Sequence, residues 1–505
     1  MLRNLWMLAL TATPVMAQET PVFTPVPVAE HVYAGGWEHF VGGGVAAFDC
    51  SGDGLPELYA AGGTNPAALF KNDSGEPGGL LAFHPDTPEA LALTGVIGAY
   101  PLDVDGDGIL DLAVLRVGED HLLRGLGNCA FEPFDLGFTS SDHWTTAFSA
   151  TWEAGQSLPT LAFGTYVDRT RQDGPFEACD VTLLYRPEGD RYAAPTTLTP
   201  GWCALSMLFT DWNRDGRADL RVSNDRHYYV RGGEEQMWAM EDTPRLYGPE
   251  DGWQAYKLWG MGIASRDISG DGFSDVYLTS MGDQKLQVFD HAAGGPVYTD
   301  ATYGRGTTSH RPHVGGDGRP STGWHAAFGD VNNDTRDDIF VAKGNVEQMP
   351  DAAMKDPNSL LIQQADGTFS EASVEAGIAT MERSRGAALA DLNLDGTLDL
   401  AVINRRAAME VYQGPKPMGH WLLVRLDALA PNTGGIGAFV EIRTEAGVQT
   451  REVTVGGGHA GGDAGWLHFG LGEATDAEVR VIWPHGSTSD WQDVTADSRV
   501  TLTPN

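Results

Sequence analysis

The stretch DVDGDGILDL at residues 103–112 alternates acidic residues with glycine, and this pattern recurs along the chain. Successive copies begin 54 to 63 residues apart, except for one gap of 108 residues, which is twice 54. Further copies begin at Asp49, Asp211, Asp267, Asp330 and Asp391. Repetition at this period indicates an array of similar structural units, each packed on its neighbours.

A further unit, without the acidic residues, fills the long gap. Residues 145–148 (TTAF) resemble residues 45–48 (VAAF), which lead into the first copy. Residues 161–164 (LAFG) resemble the strand that follows each acidic stretch. The acids between them are replaced by Gln156, Ser157 and Thr160. The chain is therefore predicted to hold seven units of roughly 50 to 60 residues.

Each unit is predicted to form four short β-strands, because no long segment has helical periodicity. The unit around Asp330 shows them as WHAAF at 324–328, IFVA at 339–342, SLLI at 359–362 and TF at 368–369. Four strands repeated seven times are typical of a seven-bladed β-propeller, an all-β fold. A parallel solenoid is the competing repeat fold, but its repeats are shorter and have no four-strand rhythm.

The ring of blades is predicted to close through the N-terminus. After the last acidic stretch only three strands follow, ending at residues 409–412, before the composition changes. Residues 23–26 (FTPV) resemble the outer strand of the preceding unit at 369–372 (FSEA), so they supply the fourth strand. Pairing the two ends of the ring removes exposed strand edges.

The acidic stretches have the spacing of calcium loops. Oxygens at positions 1, 3, 5 and 9 and a main-chain carbonyl at position 7 converge on one point, and Ca²⁺ takes about six to eight oxygen ligands. Glycine at position 6 supplies the positive φ of the turn. The bidentate Glu of an EF-hand is absent at position 12. Polar turns without metal are the alternative, but six such sets of carboxylates would repel strongly.

About five or six calcium sites follow from these positions. The fifth site differs because Thr335 replaces glycine at position 6, and a β-branched residue is strained at positive φ. The predicted ligands, in groups of five for positions 1, 3, 5, 7 and 9, are Asp49, Ser51, Asp53, Leu55, Glu57; Asp103, Asp105, Asp107, Ile109, Asp111; Asp211, Asn213, Asp215, Arg217, Asp219; Asp267, Ser269, Asp271, Phe273, Asp275; Asp330, Asn332, Asp334, Arg336, Asp338; and Asp391, Asn393, Asp395, Thr397, Asp399.

Composition and termini indicate the compartment. The 505 residues carry a formal net charge of −36, which argues against nucleic acid and anionic membranes as partners. Residues 1–17, with Arg3 before an apolar run and Ala17 at the cleavage point, are typical of a signal peptide. No later run reaches the ~18 apolar residues of a membrane span. We expect a secreted or periplasmic protein with a propeller at 18–415 and a small β-rich domain at 416–505.

Four cysteines fit an oxidising compartment. Four cysteines allow three pairings, among which their number alone does not choose. The assignment of blades favours Cys50 with Cys129, which would tie adjacent blades, and Cys179 with Cys203. A link between Cys50 and Cys179 would contradict that assignment.

The acidic loops resemble those of FG-GAP/VCBS repeats, as in the propellers of integrin α-chains. Residues 260–264 (GMGIA) and 341–346 (VAKGNV) resemble bacterial relatives of cartilage acidic protein. The tail resembles the ASPIC/UnbV module of those proteins through NTGGIGA at 432–438, LHFGLG at 467–472 and VIWPHG at 481–486. The resemblance covers nearly the whole mature chain. It implies a secreted calcium-binding propeller and no particular reaction.

The chain departs from this family pattern at three places. The third unit has no acidic loop, Thr335 replaces the turn glycine, and His485 stands where an acidic residue is usual. The blank loop bears on one metal site and leaves the prediction of the fold unchanged.

Other candidate residues do not form a recognisable catalytic motif. His310 and His313 form an HxxH in a Pro- and Gly-rich loop, where the spacing fixes no metal geometry. His143 and His325 lie at first strands, where contact with a ligand competes with packing in the core. The VGGGH at 455–459 resembles a phosphate loop but lacks the Lys and the following helix. It is therefore predicted to be a turn within the tail.

The favoured function is a binding or adhesion module for a protein or carbohydrate ligand. Aromatic residues on one long connection suit recognition, and we expect them opposite the calcium loops, unless they cover the core. These residues are Tyr228, Trp238, Trp253 and Trp259. The alternative function is a secreted enzyme, a hydrolase or lyase, that uses the mouth of the propeller channel.

Overall fold

The computed structural model describes residues 20–171, 178–225, 232–484 and 486–504. Strands make up nearly all the regular structure of these ranges, so the protein is all-β. In chain order the strands are β1 (Thr24–Val26), β2 (Val45–Phe48), β3 (Glu57–Ala60), β4 (Ala68–Asn72), β5 (Phe83–Pro85), β6 (Val96–Leu102), β7 (Asp111–Gly118), β8 (His121–Gly125), β9 (Phe131–Pro133), β10 (His143–Thr151), β11 (Thr160–Thr165), β12 (Thr182–Tyr185), β13 (Pro187–Glu188), β14 (Arg191–Tyr192), β15 (Thr196–Leu198), β16 (Ala204–Thr210), β17 (Asp219–Asn224), β18 (Gln236–Ala239), β19 (Arg245–Leu246), β20 (Ile263–Arg266), β21 (Asp275–Leu278), β22 (Lys285–Phe289), β23 (Tyr298–Asp300), β24 (Gly323–Gly329), β25 (Asp338–Lys343), β26 (Ser359–Gln363), β27 (Phe369–Glu371), β28 (Ser384–Ala390), β29 (Asp399–Asn404), β30 (Glu410–Gln413), β31 (His420–Leu426), β32 (Phe439–Thr444), β33 (Gly447–Glu452), β34 (Asp463–Ala464), β35 (Leu467–Gly472), β36 (Asp476–Ile482), β37 (Gln492–Thr495) and β38 (Ser498–Leu502).

Helical structure in the described ranges is limited to single turns. The α-helix α1 spans Thr302–Arg305, and 3-10 turns lie at Trp37–His39, Pro249–Asp251 and His291–Ala293. None of these helices is long and apolar enough to span a membrane.

Across the described ranges, the strands up to β30 include seven antiparallel groups of four, which we number as sheets 1 to 7. Within sheets 1 to 6 the strands pair in chain order, and in sheet 7 the strand β1 follows β30. Sheet 1 is β2–β5, sheet 2 is β6–β9, sheet 3 is β10, β11, β12 and β15, sheet 4 is β16–β19, sheet 5 is β20–β23, sheet 6 is β24–β27, and sheet 7 is β28–β30 with β1. The start of β10 also pairs with the end of β7, which joins sheets 2 and 3.

The first strands of the sheets lie together. They contact one another in chain order, and β28 also contacts β2. Small residues dominate strands such as β2 (VAAF) and β28 (SRGAALA), because backbones can approach closely only where side chains are small. The N-terminal strand β1 completes sheet 7 by pairing with β30, with Pro25 opposite Tyr412, as residues 23–26 predicted.

Apolar cores fill the spaces between neighbouring sheets, and two tryptophans expected on a recognition surface belong to them. Trp238 lies in β18, is 5% exposed and packs in the core shared by sheets 3 and 4. Trp253 is 4% exposed and packs in the core of sheets 4 and 5. The expected surface is therefore wrong for both, and the alternative, that the rings cover the core, holds. Trp259 is half-buried and pairs with Asp225, whereas Tyr228 lies outside the described residues.

The strands from β31 onwards form a separate tail domain. Its sheets have the strand orders β35-β31-β38 and β33-β32-β36-β37 and share one apolar core. Leu422 and Phe469 contribute from the first sheet, and Val440 and Val479 from the second. The short strand β34 leaves this domain and pairs in parallel with β2 of sheet 1.

Two disulfides connect neighbouring sheets, and both predicted pairings are confirmed. Cys50–Cys129 ties the turn after β2 to the turn between β8 and β9. Cys179–Cys203 ties the segment before β12 to the segment before β16. The described chain contains no free cysteine.

Removing each disulfide should lower the free energy of unfolding by an amount set by the loop it closes. Cys50→Ala/Cys129→Ala opens a separation of 79 residues and should cost about 4.5 kcal/mol in the chain-entropy model. Cys179→Ala/Cys203→Ala opens 24 residues and should cost about 3.5 kcal/mol. Guanidinium unfolding at fixed calcium concentration measures both, and the reverse order would contradict the assignment.

Candidate metal centres

The six acidic stretches form the turns between the first and second strands of sheets 1, 2, 4, 5, 6 and 7, as predicted. Position 9 is in every case the first residue of the second strand. We name the turns loop 1 (49–57), loop 2 (103–111), loop 3 (211–219), loop 4 (267–275), loop 5 (330–338) and loop 6 (391–399).

The same two hydrogen bonds shape every loop. The carboxylate at position 1 accepts the N–H of position 6 at 2.7 to 2.9 Å in all six loops. The carboxylate at position 5 accepts the N–H of position 7 at 2.9 to 3.0 Å. Because the donors are backbone N–H groups, the side chains at positions 6 and 7 take no part in these two hydrogen bonds.

Position 6 requires positive φ in every loop. The glycine of loop 2, Gly108, has φ of 85°, and the other four glycines at this position lie between 84° and 91°. Thr335 of loop 5 adopts φ of 77° and still donates to Asp330. Loop 5 therefore keeps the shape of the others, with a β-branched residue held in a strained conformation.

The acid at position 9 clamps its loop to the sheet. Asp111 accepts the N–H of Val104 at position 2 and the N–H of Gly125 at the end of β8, both at 2.8 Å. Asp399 accepts corresponding bonds from Leu392 and Gly414. A carboxylate has about four lone-pair sites, so these bonds leave positions for a cation.

Carboxylates in the loops lie close together and are partly buried. In loop 2, ligand oxygens of Asp103, Asp105 and Asp111 all lie within 4.8 Å of one another. Burial, with added repulsion from Asp105 and Asp103, raises the pKa of Asp111 to about 7. Burial beside Asp395 raises the pKa of Asp391 to about 8. A divalent cation would offset this repulsion and hold the acids ionised.

The donor set fits calcium. Its members are carboxylate, amide, hydroxyl and carbonyl oxygens, which are the hard ligands that Ca²⁺ prefers. The loops are not identical, however. In loop 2, Nη2 of Arg124 lies 2.9 Å from the carboxylates of both Asp105 and Asp107. In loop 3, one oxygen of Asp219 also accepts bonds from two aromatic side chains, at 2.8 Å from Trp212 and 2.7 Å from Tyr247.

Sheet 3 has an arginine where the other sheets have an acidic loop. Thr160, at position 9 of this turn, donates to Glu153 at 2.7 Å, and Arg186 Nε donates to the same Glu153 oxygen at 2.8 Å. The other guanidinium nitrogens of Arg186 donate to the carbonyls of Asp242 and Glu241 in the turn between β18 and β19 of sheet 4. The guanidinium of Arg186 thus lies beside the carboxylate of Glu153 and links this turn to sheet 4.

The tail domain packs on the loops. Loops 1, 2, 3, 5 and 6 all contact it, so they lie on the same side of the sheets. Leu423 shares an apolar cluster with Leu55 of loop 1 and Leu394 of loop 6. The polar contacts are Thr433 with Asp103 of loop 2, Glu452 with the N–H of Asp211 of loop 3, Arg451 with Asp337 of loop 5, and His468 with the carbonyl of Gly396 of loop 6.

A glycine-rich segment of the tail, residues 455–462, enters the space between the first strands. We call it the axial loop. It was predicted to be a turn within the tail, and this prediction is wrong because the segment pairs with the sheets instead. The bridges are Val455 with Ala150 of sheet 3, Gly456 with Leu208 of sheet 4, Gly458 with Ile263 of sheet 5 and Gly461 with Ala99 of sheet 2.

Backbone contacts this close require glycine on both sides. A Cβ at Gly98 would lie 1.6 Å from the carbonyl oxygen of Ala460, and one at Gly44 would lie 1.7 Å from it. A Cβ at Gly386 of sheet 7 would lie 2.9 Å from the carbonyl oxygen of His459. The density of glycine in VGGGHAGG was the sequence signal for this close approach.

His459 anchors the axial loop as a neutral imidazole. Its Nδ1 lies 3.1 Å from the carbonyl oxygen of Met261, which can only accept, and its Nε2 accepts the N–H of Gly42 at 3.1 Å. Its own N–H donates to Nδ1 of His325 at 3.0 Å. Burial lowers the pKa of His459 to about 3 and that of His325 to about 4. His325 is therefore part of the packing around the axial loop.

His310 and His313 have separate partners, so the HxxH does not act as a pair. His310 Nδ1 lies 2.8 Å from Asp283, whereas His313 contacts Ser373 at 2.9 Å and Glu371 at 3.5 Å.

Comparison with known proteins supports the assignment of the tail. Residues 428–505 match the family described as ASPIC and UnbV. No curated protein sequence matches the chain.

Two solved structures with detectable similarity are distant in sequence. One is a crystal structure of BBS1N in complex with ARL6DN, whose matched chain is 10% identical in sequence to this chain with a TM-score of 0.46. The match covers 78% of this chain and 98% of that chain. An Agrocybe aegerita lectin, described as recognising non-reducing terminal N-acetylglucosamine, is 14% identical with a TM-score of 0.39. It covers 76% of this chain and 88% of its own.

Arg186→Gln should destabilise the protein by about 1 to 3 kcal/mol, because it leaves Glu153 without its charged donor. The loss should be the same in calcium and in chelator, since this corner uses no metal. Arg191→Gln is the matched control, because Arg191 pairs with Asp135 at the exposed surface. Urea unfolding of both variants measures the effect, and a loss that appears only in calcium would contradict it.

Gly98→Ala should displace the axial loop, because the added methyl group overlaps the carbonyl of Ala460. We expect a loss of about 2 to 3 kcal/mol in the free energy of unfolding, together with faster proteolysis at residues 455–462. Gly304→Ala, where nothing lies within 4 Å of the new Cβ, is the control. Equal unfolding curves for the two variants would show that the segment tolerates the methyl group.

Proposed function

We propose that this protein is a secreted calcium-binding β-propeller of seven blades, built on FG-GAP-type repeats, that acts as a binding module for a protein or carbohydrate ligand. Seven four-stranded sheets, the chain-order contacts of their first strands and the contact of β28 with β2 support the propeller. The pairing of β1 with β30 supports closure of the ring. Two disulfides support an oxidising compartment.

Calcium binding is the part of the function for which the loops provide the argument. The observation that carries it is the convergence of three carboxylates within 4.8 Å in loop 2, on a hydrogen-bond frame that five other loops repeat. Asp103, Asp105, Asp107, Asp111 and the carbonyl of Ile109 would hold the ion there. When bound, calcium supplies a divalent positive charge that neutralises neighbouring carboxylates.

The position of the tail suggests what the ions stabilise. The carboxylate of Asp103 accepts a hydrogen bond from the hydroxyl of Thr433, and the N–H of Asp211 donates to Glu452 at 2.7 Å. Ligand residues of the loops therefore contact the tail directly. Calcium in these loops would strengthen the docking of the tail as well as each turn.

Ligand binding is proposed for the face opposite the loops. The tail covers much of the loop face, and the axial loop occupies the space between the first strands. Connections such as residues 307–322 and 344–358 remain on the opposite side, and Val314 and Met354 are each 39% exposed there. Arrays of glycans and peptides, probed with the full chain in calcium, test this role. No specific binder on either array would remove the support for a binding module.

Calcium should raise the melting temperature, and chelator should lower it. A tenfold excess of calcium over Kd contributes roughly 1.4 kcal/mol per independent site. Asp111→Asn should remove one site and reduce the calcium-dependent part of the stability, because it deletes a buried ligand charge. Asp190→Asn, an exposed change outside the loops, is the control.

Calorimetric titration with calcium provides the second measurement. It should count about five or six sites in the native chain and one fewer in Asp111→Asn. Melting temperatures that are the same in calcium and in chelator would contradict the proposal.

A further inference from the structure

A serine, a histidine and an aspartate form a connected chain of hydrogen bonds at the start of β10. The Oγ of Ser141 lies 2.7 Å from Nε2 of His143, and Nδ1 of His143 lies 2.8 Å from Oδ2 of Asp180. Ser141 is exposed, whereas the side chains of His143 and Asp180 are 19% and 16% exposed. Both are hydrogen-bond distances of the kind found between a nucleophile and its base, and between the base and the group that orients it.

The partners determine which nitrogen of His143 carries the proton. A carboxylate can only accept, and contact with His143 and the N–H of Val181 helps to lower the pKa of Asp180 against the effect of its burial. Nδ1 of His143 must therefore carry hydrogen. In the neutral imidazole Nε2 is then the acceptor, and the hydroxyl of Ser141 donates to it. This is the tautomer that a general base for a serine hydroxyl requires.

Neighbouring contacts hold the base and its acid in place. The start of β10 pairs with β7, where His143 lies opposite Gly118. Asp180 accepts the N–H of Val181 at 2.9 Å, and Cys179 beside it is fixed by its disulfide to Cys203.

The serine segment is also fixed. Ser140 bonds to the buried Asp120, which lies 2.8 Å from Thr145 of β10. Arg169 contacts Asp142, the residue between Ser141 and His143, and bonds to Glu38 at 2.7 Å. Contacts with Asp120 and Arg169 thus hold the segment of Ser141 and His143, and the disulfide beside Asp180 holds the acid.

A second serine and histidine provide a contrast within the same protein. Ser373 lies 2.9 Å from His313, but it also lies 2.6 Å from Glu371, which can only accept when ionised. Ser373 is fully buried, so a substrate has no access to it. A nucleophilic serine must donate its proton to the histidine and must be accessible to substrate. Ser141 meets both conditions, whereas Ser373 donates to Glu371 and is buried.

We propose that Ser141, His143 and Asp180 form a hydrolytic site for short-chain carboxylic esters. Ser141 attacks the ester carbonyl while Nε2 of His143 takes the hydroxyl proton. The ester C–O bond then breaks, and His143 returns that proton to the leaving alcohol. Water attacks the resulting acyl-serine with His143 again as the base, which releases the carboxylic acid and restores Ser141. An exposed serine accepts a short acyl group without an enclosed acyl pocket.

The surroundings of His143 set the pH dependence of this step. The hydrogen bond to Asp180 and the charges of Asp180, Asp120 and Asp142 raise the pKa of the imidazole, while partial burial lowers it, with a net shift upward. Only the neutral imidazole accepts the serine proton. Hydrolysis should therefore increase with pH until His143 is deprotonated.

The first test uses the full chain with p-nitrophenyl acetate and a fluorophosphonate probe. Hydrolysis of the ester should fall by about 100-fold or more in Ser141→Ala, which keeps the imidazole and so controls for hydrolysis by histidine alone. Ser141 is exposed, so this variant should melt like the native chain. Peptide mapping should find the probe on Ser141 and not on Ser373. Unchanged hydrolysis in Ser141→Ala, or no label on Ser141, would overturn the proposal.

The second test separates orientation of the base from mere stability. Asp180→Asn should reduce kcat by about 100-fold or more while changing KM little, because the amide no longer fixes the tautomer of His143. The rising limb of the pH profile should move to lower pH, since the raising effect of the carboxylate is lost. A native pH profile and kcat in Asp180→Asn would show that Asp180 does not serve His143.

Discussion

Repulsion among partly buried carboxylates is the constraint on which much of this structure depends. Six loops gather acids at one side of the sheets, and five of the loops contact the tail domain. Water cannot fully solvate groups such as Asp399, whose pKa burial raises well above its usual range. We propose that calcium is the positive partner of these acids, because it fits the oxygen donors of the loops. In sheet 3, Arg186 lies beside Glu153 in the corresponding turn.

The axial loop resolves a second problem, the filling of the space where the first strands meet. Large side chains would keep these strands apart, and small ones would leave a void. Here small residues such as Gly98 in β6 and Gly44 just before β2 line the space, and a backbone segment from the tail fills it. Glycine allows this close approach, so backbone groups of the axial loop bond to the sheets, such as the N–H groups of Gly457 and Gly458 to the carbonyls of Met207 and Ile263.

These two features divide the molecule by function. The loop face carries the acids, the contacts with the tail and the proposed metal sites. The axial loop fills the space between the first strands. The opposite side keeps long connections and the exposed Ser141. Because Ser141 precedes β10 and the loops follow first strands, the proposed hydrolytic site and the proposed calcium sites lie at opposite ends of those strands. Changes at one are therefore expected to leave the chemistry of the other intact.

The sequence by itself determined the local features. The turns and the acids at positions 1 and 9 follow from the repeat, because contiguous residues encode each loop and its hydrogen bonds. The pairing of residues 23–26 and both disulfides were predicted because the repeat assigns their residues to the same or neighbouring units. Tertiary structure alone decided the rest. The axial loop, the Glu153–Arg186 contact, the burial of Trp238 and the approach of Asp180 to His143 join residues distant in sequence. No local pattern fixes such contacts, since they depend on how whole sheets pack.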